Sequence, residues 1–253
     1  LDYDTRVEMT RVQNAAVAFD IGNGVGLGWN LATSVRPGVG RIAVLIGAFP
    51  DHRAELRLAL DHGVGVLAIA NWEEQDDPLF DVAATAIDGL LTLRAGAPPR
   101  DRDRPLPARV AWPAGIEPAA PLPLYATPAG LVTTTARDDG FELEFAGLDF
   151  RANPRADAWY RVRYDLLGVL PIGFSRLNRV LVAPARIAGE PVLLGFAGDR
   201  YLLAGTALAR DPALAQWSRW CGTYRLTNPD ALSELAKLSE ASLNYADGVL
   251  TLG

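Results

Sequence analysis

Between Arg53 and Ala70 the chain reads as two antiparallel strands, and this pair constrains everything around it. Arg53-Ala54-Glu55-Leu56-Arg57-Leu58-Ala59-Leu60 alternates with the period of a strand, so Leu56, Leu58 and Leu60 share one face. Asp61-His62-Gly63 is a hairpin turn, and Val64 to Ala70 follows as a run apolar on both faces. Such a strand is expected beneath helices on one side or both. Upstream, Val25, Leu27, Trp29 and Leu31 alternate with smaller or polar residues and predict a further strand. Gly22-Asn23-Gly24 and Pro37-Gly38-Val39-Gly40 are turns, Ile42 to Ile46 is another strand, and Asp4 to Asn14 predicts a short helix. Residues 24–71 should therefore form one antiparallel sheet.

Asp77-Pro78 supplies an N-cap followed by proline at the first helical position. Leu79, Val82, Ala83, Ala86, Ile87, Leu90 and Leu91 then recur at helical spacing, and Gly96 is a C-terminal stop. The expectation is a helix over about Pro78–Arg94 packed on the sheet through Val82, Ala86 and Leu90. Residues 97–123 are rich in proline and carry the run Arg100-Asp101-Arg102-Asp103-Arg104, which marks a linker. Beyond it short strands recur: Gly130–Thr135, Phe141–Phe145, Trp159–Leu166, Arg179–Ala183, Val192–Phe196 and Tyr201–Leu203, a spacing that suggests a barrel or sandwich. A second, incomplete β unit is expected from about Trp217, with a strand at Trp220–Arg225 and a hairpin at Leu243–Leu252. The fold class is α+β: a partial antiparallel sheet with a packed C-terminal helix over residues 1–96, the linker over 97–123, and a mainly-β, barrel-like region over 124–253.

Composition narrows the partners. The chain of 253 residues has 49% hydrophobic and 21% charged residues, ordinary values for a globular protein with a real core. A net charge of −6 argues against non-specific nucleic-acid binding. A lone cysteine, Cys221, excludes an internal disulfide, and two histidines, His52 and His62, exclude a His-rich zinc site built from this chain alone. No apolar run is long enough to span a bilayer, and no basic-then-apolar leader opens the sequence. No cofactor or metal is expected.

Gln13-Asn14, Gly26-Leu27-Gly28-Trp29, Gly47 with Pro50, and the strand ending at Asn71 together resemble the last strands of the central sheet in serine β-lactamase-like hydrolases, the group of penicillin-binding proteins, esterases and D-amino-peptidases. The resemblance covers about residues 1–95. The later strands resemble the lipocalin-like barrel appended to such bacterial enzymes. It implies ester or amide cleavage through an acyl-serine in a parent protein. It also implies a periplasmic or secreted location, with the cytoplasm left open, and a chain truncated upstream of Leu1.

The motifs of that chemistry are missing here. Ser-x-x-Lys places a lysine one helical turn from the nucleophile. Lys237 is the only lysine, and Glu234 stands where the serine would be. None of the tyrosines begins a Tyr-x-Asn. The Lys/His-x-Gly strand motif falls at Leu45-Ile46-Gly47, with Leu45 in place of the polar residue. No catalytic residue is therefore expected in this chain. Leu45, Gly47 and His52 are candidates for the wall of a cleft, with His52 read foremost as an exposed loop residue. His62 is a turn residue.

The Gly22–Gly28 stretch precedes a strand, so it is no dinucleotide loop. Gly173-Phe174-Ser175-Arg176-Leu177 falls short of a nucleophile elbow. Trp217 and Trp220 are expected in the β core, beside a buried Cys221. Three readings follow: the C-terminal portion of a serine hydrolase, inactive alone; a β-barrel module holding a small apolar ligand; or a structural and interaction domain carrying a decayed hydrolase remnant. The expected partners are an ester or amide substrate in the parent, the missing N-terminal part of the same protein, and further copies of the chain.

Overall fold

The computed structural model describes residues 2–21, 23–33, 38–49, 52–71, 78–97, 106–166, 170–172, 180–197, 200–225 and 240–252. Several sequence features lie outside them: the Asp77 cap, the charged run at 100–104, Ser175 and Lys237. The fold is α+β, as the residue patterns imply, with a helix-backed antiparallel sheet followed by a closed barrel.

The first helix, α1 (Tyr3–Met9), begins at Asp2, whose carboxylate accepts from the Thr5 amide at 2.7 Å. It is shorter than the expected Asp4–Asn14 helix. The Gln13 amide instead donates to the Val25 carbonyl at 2.7 Å, drawing the chain toward the sheet. That sheet runs β1 (Gly24–Val25), β2 (Asn30–Thr33), β3 (Arg41–Phe49), β4 (His52–Ala59) and β5 (Val64–Ala70), in sequence order and antiparallel. The expected single strand from Val25 to Leu31 is a hairpin, with Val25 opposite Asn30 and Gly28 at φ 78° in the turn. Gly26 is held against α1, where a Cβ would come within 2.3 Å of the Met9 carbonyl oxygen.

Helix α2 (Pro78–Ala95) covers one face of β4 and β5. It ends in a left-handed αL cap in which Gly96 takes φ 61° and its amide donates to the Thr92 carbonyl at 3.1 Å, with the Ala97 amide reaching the Leu91 carbonyl at 3.3 Å. Ile87, Leu91 and Ala97 pack there with Val39, Ile42, Val44 and Ala59. The helix stripe is therefore rotated from the expected one. Ala83, Ala84, Ile87 and Leu91 are buried, whereas Val82 and Leu90 are 58% and 38% exposed. Apolar residues on three adjacent rows made the stripe too wide to aim from sequence.

Eight strands close the barrel: β7 (Leu124–Thr127), β8 (Gly130–Arg137), β9 (Gly140–Phe145), β10 (Leu148–Pro154), β11 (Tyr160–Leu166), β13 (Val180–Ile187), β14 (Glu190–Ala197) and β15 (Arg200–Ala207). Closure comes from Tyr160 opposite Val182 and Thr206 opposite Ala126. Two short strands attach to this wall, β6 (Ile116–Pro118) along β13 and β12 (Leu170–Ile172) along β11. Tyr125, Phe141, Leu143, Val162, Val182 and Leu193 fill the interior, as side chains do in a barrel of this strand number.

The other face of β13 and β14 is buried too. Leu181, Ala183, Leu194 and Phe196 pack with Trp159 against Val110 and Ile21, so the connector and the N-terminal segment lie on the barrel's outer wall. At the C-terminus, β16 (Gly222–Arg225), β17 (Glu240–Ala246) and β18 (Val249–Leu252) form a separate sheet beside a 3₁₀ run, Pro212–Trp220. The 3₁₀ run is what packs on β17 and β18, with its two tryptophans left at the surface. Trp217 and Trp220 are accordingly exposed rather than in a β core, and Cys221 is half-buried.

Leu91→Asp should be severely destabilising, since it places an unpaired charge beneath α2, at a cost of several kcal/mol, about 3–5. Val82→Asp should melt within a few degrees of the parent. Thermal unfolding of the two variants checks the helix orientation, and the reverse order would refute it.

Candidate functional site

The alternation in β4 sets up an inversion. Glu55 and Arg57, the polar residues of the strand, are 3% and 4% exposed and lie on the face beneath α2. Arg57 Nε donates to the Glu55 carboxylate, and its guanidinium sits 4.5 Å from the centre of the Phe80 ring. Leu56 and Leu58 point the opposite way. Rungs of the ladder align Leu45, Leu56 and Leu67, then Gly47, Ala54 and Ile69, then Ala43, Leu58 and Gly65. Neighbouring strands lie about 4.8 Å apart, so each rung is a flat apolar bar about 10 Å across.

This face is open at its centre. Leu45, Leu67 and Ile69 are 44%, 61% and 66% exposed. Leu58 lies over Gly65, where a Cβ would come to 2.6 Å from its Cδ2 atom. Among the described residues β5 pairs on one side only, so a strand edge borders the patch.

The three cleft-wall candidates fall together here. Leu45 and Gly47 sit on adjacent rungs of the open face, and His52 stands on the same face at the end of β4, exposed. What surrounds them is hydrocarbon. Among the described residues no three or more of His, Cys, Asp and Glu come together as metal ligands would. Nucleophilic chemistry needs an activated oxygen, sulfur or nitrogen within hydrogen-bond reach of a base, and these rungs contain none. They can bury apolar surface. His62 stays in its turn, where its amide donates to the Ala59 carbonyl at 3.1 Å. Sequence reading singled out both the leucine row and the apolar strand. It could not tell that the helix would choose the face with the charges.

Polar order concentrates at the barrel junction. Asp157 accepts from the Val110 amide at 2.9 Å and from Arg155 Nε and Nη2 at 3.1 and 2.9 Å. Arg155 Nη2 also donates to the carbonyl oxygens of Pro107 and Ala108 at 2.8 and 2.9 Å. Burial alone would raise the Asp157 pKa, but hydrogen bonds from Arg155 and Val110 and the Arg155 charge outweigh it and hold the carboxyl below its ordinary value. None of these residues was marked by the sequence patterns, which carry no signal for a clamp between distant loops.

No known family model matches this chain, and no characterised protein matches it. It is similar to a solved structure described as "Crystal structure of SurE with D-Leu", at 23% identity and a TM-score of 0.45, over 81% of this chain and 44% of that one. The chain thus spans less than half the length of that protein, and a likeness of this strength carries no argument about fold or activity. The relative is named SurE, not a β-lactamase, penicillin-binding protein or esterase. No family model of that group matches the chain, and the resemblance to serine β-lactamase-like hydrolases is withdrawn, together with the acyl-serine function and the hydrolase descriptors drawn from it. The motif absences at Lys237 and Leu45 point the same way.

The Asp157 clamp has a pH signature. A carboxyl with a folded pKa below its unfolded value near 3.9 stabilises the fold above that pH, and the contribution is lost as pH falls through the folded pKa. Asp157→Asn should lower stability at pH 7 by about 1–3 kcal/mol and flatten the acid limb. Denaturant melts from pH 7 down to pH 2 check this, and an unchanged acid limb would refute it.

Proposed function

We propose that this chain acts as a docking module whose leucine face on β3–β5 receives an apolar, helix-bearing polypeptide. The carrying observation is the inversion in β4: the strand buries Glu55 and Arg57 beneath α2 and leaves Leu56 and Leu58 on the side where Leu45, Leu67 and Ile69 are exposed. The three central rungs, built of leucine, isoleucine, alanine and glycine, have the composition of a core layer. An exposed patch of this kind marks an interaction surface.

A polypeptide layer fits better than a small molecule. The rungs are flat, and the barrel interior, where a small apolar ligand was one reading, is filled by Tyr125, Phe141 and Leu193. A helical layer fits better than another sheet, because strands apolar on both sides take helices on both sides. Leu45 and Gly47 enter this reading as members of the docking face, and His52 as a residue at its rim. The partner is a further part of the same protein or a separate chain. In its absence two copies cover each other, since full burial of a leucine or isoleucine contributes about 1.5–3 kcal/mol. The helix-backed sheet, the connector and the barrel would act as one scaffold that presents this face.

Sedimentation velocity at micromolar concentration tests the reading. The parent should self-associate, and Leu67→Asp with Ile69→Asp should sediment as a folded monomer, because both side chains are more than half exposed and their replacement leaves the core intact. A parent that is a monodisperse monomer and binds no hydrophobic dye would overturn it.

A further inference from the structure

Trp159 is fully buried, yet its indole Nε1 has no hydrogen-bond partner among the described residues. Buried donors are nearly always paired, so an orphan N–H points to a group that belongs there. Its surroundings are aromatic. The rings of Trp112 and Tyr201 lie 5.3 and 6.2 Å from that of Trp159, and Phe196 lies at 6.1 Å. The other polar groups of this cluster are engaged. Trp112 Nε1 donates to the Asp157 carbonyl at 2.9 Å, and the Tyr201 hydroxyl donates to the Ala111 carbonyl at 2.8 Å. Arg155 and Asp157 neutralise each other beside it. The cluster therefore offers one free donor, aromatic surface and no spare charge.

The N-terminal segment closes over this wall. Ile21 is buried in the same cluster and Phe19 packs against it. Ile21 holds φ 44° and ψ 50°, a left-handed conformation that a β-branched residue adopts only under strain. Asn14 braces the segment from the sheet side, donating to the Asp20 carboxylate and, at 2.8 Å, to the Asn23 carbonyl. A strained closure is one whose displacement returns free energy.

We propose that the junction between the barrel wall and the N-terminal segment is a binding site for a small, uncharged, planar molecule bearing a hydrogen-bond acceptor, which Trp159 Nε1 receives and Phe19 and Ile21 close over. It is independent of the docking face. The test uses the full chain carrying Leu67→Asp and Ile69→Asp, so that the open sheet takes up no probe. The chain is titrated with benzamide, a planar uncharged acceptor, and with toluene, a similar ring without one. The Trp159 indole N–H resonance is followed by NMR and assigned by its loss in Trp159→Phe.

Benzamide should move that resonance saturably and toluene should not. Ile21→Gly, which relieves the strained backbone and removes the plug, should tighten benzamide binding several-fold. The proposal is overturned if the resonance ignores benzamide in both the parent and Ile21→Gly backgrounds, if toluene moves it equally, or if Trp159→Phe binds benzamide as well. Contact of the indole with a long-lived resident water only, without response to benzamide, also overturns it. Should Trp159→Phe fail to fold, the Ile21→Gly titration decides alone. Failure here leaves the self-association of the sheet face, read by sedimentation, untouched.

Discussion

The ion pair between Glu55 and Arg57 decides how the first unit is built. Both side chains are almost wholly withdrawn from water on the face that α2 covers. Desolvating two charges costs several kcal/mol each, and only close hydrogen bonding and good geometry offset it. The pair meets this by bonding within one strand, two residues apart, while the Phe80 ring lies over the guanidinium. Ala83 and Ala84, both buried, give α2 little bulk where it approaches the sheet. With α2 committed to that face, the leucines of β4 have nowhere to go but the other.

That commitment explains why part of the architecture was legible and part was not. Period-two alternation marked β4 because strand geometry writes itself directly into the sequence, and an unbroken apolar run after a hairpin turn marked β5. Six of the eight barrel strands were marked as short runs between turns, β7 and β10 were not, and Gly96 marked the end of α2, where it takes a left-handed φ of 61°. Orientation was not legible. A strand reading Glu-Leu-Arg-Leu says which residues share a face but not which face receives the helix, and ordinary expectation would bury the leucines. The same limit misdirected the reading of Val82 and Leu90. The Val25–Leu31 segment failed differently, since a tight hairpin can mimic alternation when its turn residues are themselves apolar. Trp217 and Trp220 look like core residues by type, but they lie in a 3₁₀ run that leaves both exposed.

The junction on the barrel wall was invisible for a further reason. Residues from six separate stretches meet there, including Ile21, Val110, Trp159, Leu181, Leu194 and Tyr201, and no local period links them. Their joint burial makes the N-terminal segment part of the barrel's outer core. The Arg155–Asp157 clamp fixes the connector to the same wall. The N-terminal segment and the connector are thus both held to the barrel, by packing and by hydrogen bonds.

The central claim is that this face is a covered interface in the working protein. A nitroxide attached at Leu67→Cys, in a Cys221→Ser background, reports on it directly, with a label at Leu93→Cys on the exposed side of α2 as reference. The account predicts that at micromolar concentration the label at 67 is immobilised and shielded from a water-soluble relaxation agent, while the label at 93 is mobile and accessible. A label at 67 as mobile and as accessible as the one at 93 would contradict it.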